Sequence, residues 1–159
     1  MNTTHNEIRV IAVGNPLQRD DGVGLAILER LRERPWPETV QFMDGGTGGV
    51  DLLRLMEGAG QVILVDAVEM GKSPGTVERF LPRDVQLVDS EGRGLSLHQA
   101  GLAEVLVLGS ELDILPPLVI FGVQPEQVTP GTGLSPTVAA AVEATAAAIT
   151  AELATLVIG

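Results

Sequence analysis

The stretch Ile8–Leu31, IRVIAVGNPLQRDDGVGLAILERL, constrains the fold more than any other part of the chain. Ile8–Val13 is a near-continuous apolar run, the pattern of a strand buried on both faces. Gly14-Asn15-Pro16 breaks it, two adjacent aspartates follow, and apolar residues then recur at helical spacing from Gly22 to Arg34. Asp20 and Asp21 stand at the start of that helix, and Arg30, Arg32 and Arg34 at its end, as the helix dipole favours. A strand-loop-helix unit places its loop at the carboxyl end of the strand, where open α/β sheets build ligand sites. Two acids beside a helix N-terminus either cap the helix or hold a cation. Capping is the simpler reading for Asp20; Asp21 admits both.

The pattern repeats downstream. Val40–Met43 is a short strand ending in Asp44-Gly45-Gly46-Thr47-Gly48-Gly49, followed by a helix from Val50 to about Glu57. Gln61–Val65 is a third buried strand, ending on Asp66-Ala67. The order β-α-β-α-β implies right-handed crossovers and a mostly parallel sheet. Gly75–Leu81 and Val85–Val88 read as a hairpin or a sheet extension, and Asp89–Gly94 as a polar loop. Ser96-Leu97-His98-Gln99 has capping-box spacing and predicts a helix through about Leu108. Pro116–Val123 is a last strand, and Ser135-Pro136 opens an alanine-rich helix to about Leu156. These elements predict one domain over residues 1–159, with 1–7 a loose polar lead.

Composition narrows the function. Apolar residues make up 45% of the chain and aromatics only 3%, so the core must be aliphatic. A net charge of −11 repels phosphate backbones and anionic bilayers, so neither nucleic acid nor membrane is an expected partner. With no cysteine, disulfides, thiolate metal sites and a cysteine nucleophile are excluded. The N-terminus lacks a basic region followed by an apolar run, so no signal peptide is expected and the cytoplasm is the default compartment.

In a parallel sheet, Asp20 and Asp21 after the first strand, Asp44 after the second, Asp66 after the third and His98 near a helix start converge on one edge. Oxygen and imidazole ligands from separate elements can enclose a divalent cation, and nickel, zinc, manganese and iron all suit such a set. Each residue also has a structural reading: Asp44 as a turn residue, Asp66 as a strand end bonding loop amides, His98 as a surface helix residue. Other motifs fail. Gly71-Lys72-Ser73 lacks the first glycine of a P-loop, no G-x-G-x-x-G or H-E-x-x-H occurs, and nothing favours a triad of Ser96 or Ser135 with His98.

Taken in order, several segments resemble the hydrogenase maturation endopeptidases. They are Gly14-Asn15-Pro16-Leu17 with Asp20-Asp21-Gly22-Val23-Gly24, Asp44-Gly45-Gly46-Thr47, Val65-Asp66-Ala67, and Ser96-x-His98-Gln99-x-Gly101-Leu102. Phe121-Gly122-Val123-Gln124-Pro125-Glu126 with Leu134-Ser135-Pro136 completes the set. The resemblance implies a three-layer α/β/α sandwich with a mostly parallel central sheet, of the phosphorylase/hydrolase-like kind. It implies an aspartyl-type endopeptidase that removes the C-terminal extension of a nickel-iron hydrogenase large-subunit precursor after nickel insertion. Asp21, Asp66 and His98 would contact nickel carried by that precursor, with no tightly bound cofactor of the enzyme's own. Asp44 falls in a glycine motif tied to substrate recognition or cleavage. The family often has glutamate at the Asp21 position. Two alternatives stand beside it: a non-enzymatic acidic nickel-handling chaperone using the same three residues, and a hydrolase resembling peptidyl-tRNA hydrolases, which the charge and the aspartates at 20 and 21 disfavour.

Overall fold

The computed structural model describes residues 6–84, 96–97 and 100–158. In chain order these form β1 (Ile8–Ala12), a 3-10 turn (Arg19–Gly22), α1 (Val23–Arg32), β2 (Val40–Asp44), α2 (Asp51–Met56), β3 (Gln61–Glu69) and β4 (Val77–Phe80). There follow β5 (Ser96–Leu97), α3 (Ala100–Glu111), β6 (Leu118–Val123) and α4 (Pro136–Ile158). The sheet runs β2-β1-β3-β6-β4. Its first four strands are parallel, and β4 lies antiparallel on the β6 edge.

Burial explains which strands are central. β6 is buried at all six positions and β3 from Val62 to Val68, matching their unbroken apolar runs. Side chains alternate between two cores, as strand geometry demands. Ile8, Val10 and Ala12 of β1 and Ile63, Val65 and Ala67 of β3 face α1 and α4, against Ile27, Leu31, Ile149 and Leu153. Ile11 of β1 and Val62, Leu64 and Val68 of β3 face α2 and α3, against Leu52, Met56, Leu102 and Leu106. The result is the three-layer α/β/α sandwich with a mostly parallel sheet.

The long α4 passes for a membrane span by length and composition alone, with a mean hydropathy of 1.4 over its most apolar window. Here Val138, Ala141, Ala146, Ile149 and Leu153 of that helix are core residues. Its polar side is tied down by ion pairs of Glu143 with Arg30 and of Glu152 with Arg79. At the amino edge of the sheet, the Arg9 guanidinium donates to the carbonyls of Leu55 (2.9 Å) and Glu57 (2.7 Å), which close α2.

Two expectations need correction. β3 does not end at Val65 but continues to Glu69, because β6 pairs with it at Asp66 and Ala67 and β5 at Val68 and Glu69. Asp66 is therefore a strand residue and not a strand end. The helix expected to open at Ser96 does not start there: Ser96 and Leu97 pair with β3, whose added length offers them a partner, and α3 opens at Ala100. Of the two segments read as a hairpin or a sheet extension, Val77–Phe80 extends the sheet, joining β6 at its edge. Val85–Val88, the loop Asp89–Gly94 and His98 lie outside the described residues.

Candidate active site

The parallel register sets the strand ends side by side, with Ala12 opposite Asp44 on β2 and Val65 on β3. Backbone bonds continue beyond the strands. Gly45 N donates to Ala12 O (2.7 Å), Val13 N to Val65 O (2.9 Å) and Gly14 N to Gly46 O (2.8 Å). The carriers of Asp21, Asp44 and Asp66 thus share the carboxyl edge of the sheet.

Gly14 lies between the backbone of Asp21 and the side chain of Asp66. Its φ of +135° suits glycine, and a methyl group there would lie 2.1 Å from the Asp21 carbonyl oxygen and 3.7 Å from Asp66 Oδ1. Asp21 Oδ2 accepts from Asn15 N at 2.8 Å, and Asp66 Oδ1 accepts from Ala67 N at 2.8 Å. Both residues are 0% exposed. By strand alternation Asp66 shares the sheet face of Leu64 and Val68, the face covered by α2 and α3. Leu97, which precedes His98 in sequence, pairs with Val68, two residues past Asp66. Among the described residues no group of three His, Cys, Asp or Glu is arranged to hold a metal ion.

Asp44 belongs to the same edge but not to the buried pair. It is exposed, its Oδ1 accepts from Gly46 N at 2.9 Å, and two strand spacings, roughly 10 Å, separate it from β3. With Gly45, Gly46, Asp51 and Arg54 it lines an open hollow of about 650 Å³.

Asp20 takes a role that its sequence position does not suggest. It caps no helix of its own, for α1 has no side-chain cap. Instead Oδ2 accepts from Glu126 N (2.9 Å), Gln127 N (2.8 Å) and Ser135 Oγ (2.8 Å), and Oδ1 from Ser135 N (2.7 Å). Burial alone would raise this carboxyl; the bonds from Gln127, Ser135 and Glu126 outweigh it and hold the group below its ordinary value. A depressed folded-state pKa stabilises the fold above the unfolded value, and that gain is lost as pH falls through the folded one. Thermal melts below about pH 4 should therefore fall more steeply for the native protein than for Asp20→Asn. Parallel curves would remove Asp20 from the acid response.

The comparisons with known proteins bear on the whole chain. The family model of HycI, the hydrogenase maturation proteases, matches residues 25–152. The chain belongs to the hydrogenase maturation protease family. Its relatives include the hydrogenase 2 maturation protease of Escherichia coli K12, 38% identical over 139 residues, which cover 86% of this chain and 84% of that protein. The hydrogenase expression/formation protein HoxM of Azotobacter vinelandii is 38% identical over 128 residues; the match takes in 79% of this chain but only 61% of HoxM. The solved structure of the E. coli hydrogenase maturating endopeptidase HybD superposes with a TM-score of 0.79 at 33% identity, covering 94% of this chain and 93% of that one.

In this family member, Gln124 directly follows β6 and has a positioning role that its place in the sequence does not announce. It is 4% exposed. Its Oε1 accepts from Met70 N (2.7 Å), and its Nε2 donates to Glu69 Oε2 (2.8 Å), tying the end of β6 to the turn after β3. The available signal was a lone amide closing the apolar run of β6. Asp20 had no such signal, since its partners lie 106 to 115 residues away.

Proposed function

We propose that the chain is an endopeptidase that removes the C-terminal extension of a nickel-iron hydrogenase large-subunit precursor once nickel is in place. The observation that supports this reading is that two fully buried aspartates, Asp21 and Asp66, lie on either side of one loop, Gly14-Asn15, at the carboxyl edge of the sheet. Carboxylates withdrawn from water are costly unless hydrogen bonds or a cation compensate them. With His98 they make a two-oxygen, one-nitrogen set suited to a borderline metal such as nickel. Three ligands form an incomplete shell, which fits a metal shared with the substrate that carries it. Family membership supports the same assignment.

In this reading Asp21, Asp66 and His98 contact the precursor's nickel and hold the scissile bond near them, so docking supplies much of the rate through proximity. A carboxylate of the pair would then act as general base on the attacking water. Asp44 and its hollow receive the segment next to the bond. The work takes place in the cytoplasm, on a protein partner.

The test is cleavage of nickel-loaded precursor by Asp21→Asn and His98→Ala proteins shown to be folded. Each is expected to lose about tenfold to a hundredfold in rate, the usual cost of disturbing a metal shell. Wild-type rates in both would end the nickel-recognition reading. Nickel binding by the native chain without any cleavage would favour the chaperone alternative.

A further inference from the structure

We infer that Asp20 is a positioning residue that sets the direction of Asp21, an inference that rests on the peptidase reading above. The two acids are consecutive, both are 0% exposed, and they serve different partners. They occupy the 3-10 turn Arg19–Gly22, where successive side chains lie about 120° apart. Asp20 points into the segment 126–135; Asp21 points to Asn15 at Gly14. Any roll of this turn swings both carboxylates together.

The segment 126–135 is what prevents the roll. Four bonds end on the Asp20 carboxylate, from Glu126 N, Gln127 N, Ser135 N and Ser135 Oγ. Three backbone bonds reinforce them: Asp20 N to Gln127 O (3.0 Å), Arg19 N to Gly131 O (3.2 Å) and Gly131 N to Leu17 O (2.9 Å). Arg19 enters the turn at φ 51°, a left-handed conformation that persists in a non-glycine residue only when its surroundings enforce it. Ser135 is the anchor at the far side, because its carbonyl also accepts from Ala139 N (2.8 Å) in the first turn of α4. A 23-residue helix thereby holds the turn that carries Asp21.

Asp20→Asn keeps the side-chain volume but loses the charge and puts an amide N–H₂ against at least one of these donors. Turnover of nickel-loaded precursor at saturation, measured where circular dichroism shows full folding, is expected to fall by about tenfold or more, since small misplacements of a reacting group are costly. Ser135→Ala removes only the hydroxyl donor and should cost roughly twofold to fivefold. Arg9→Met, which weakens the fold at the opposite edge, is the control for lost stability and should keep the native turnover. If Asp20→Asn does not fold, Ser135→Ala decides alone. Native turnover in the folded acid-site variants, with only the melting temperature lowered, would reduce Asp20 to a structural clamp and overturn the inference. A native protein that cleaves nothing would instead overturn the peptidase reading, and this inference with it.

Discussion

Asp66→Asn is expected to slow processing of nickel-loaded precursor by about a hundredfold or more while leaving the protein folded. The two effects have one cause. Asp66 lies in the middle of β3, between Val65 and Ala67, with Gly122 of β6 as its backbone partner. An amide of the same shape keeps that pairing and can still accept from Ala67 N, so the sheet has no reason to rearrange. What disappears is one of the two buried carboxyl groups of this edge, Asp21 and Asp66. Because the strand pairing and the Ala67 bond are kept, the melting temperature should stay within a few degrees of the native value. Gel mobility of the large subunit reads the first effect and circular dichroism the second. Native processing by Asp66→Asn would sink the assignment of this carboxylate to the reaction.

Gly14→Ala carries the largest expected loss of stability. A β-carbon there would lie 2.1 Å from the carbonyl oxygen of Asp21, far inside contact distance, and φ is +135°. The obstacle is backbone, so no side chain can swing aside. The loop must open, breaking the Asn15 N to Asp21 Oδ2 bond and the Gly14 N to Gly46 O bond. Strain and lost bonds together should cost about 3 kcal/mol or more, against a total stability on the order of 5–15 kcal/mol. For a domain of this size that lowers the melting temperature by roughly 6–12 °C. Processing should vanish with it, because the same loop holds Asp21. Gly46→Ala separates the two causes: Gly46 also has a positive φ, of +60°, yet no atom lies within 4 Å of the added carbon. Its cost should be about 1 kcal/mol, the conformational part alone. Equal losses in the two variants would show that crowding against Asp21 is not what makes Gly14 a glycine.

Both variants bear on a site whose parts differed in legibility. Asp21, Asp44 and Asp66 were readable because each follows an apolar run in a β-α unit, and parallel strands deliver such residues to one edge. Asp44 was readable as a turn residue, and its side chain accepts from Gly46 N, a contact made two residues away. The helix start expected at Ser96 was not legible, because Ser96 pairs with a strand far away in sequence.

Local chemistry alone determined the alternation of strands and helices, the aliphatic core, and the start of α4 at Pro136, since apolar period, caps and prolines act within a few residues of themselves. Tertiary structure alone decided the strand order β2-β1-β3-β6-β4, the antiparallel β4 edge and the extension of β3 to Glu69. It also decided which of two neighbouring aspartates serves the fold and which faces the shared glycine. Strand partners are chosen between segments far apart in sequence. Likewise Asp20 is drawn away from its neighbour by donors more than a hundred positions downstream, a choice that no reading of adjacent residues contains.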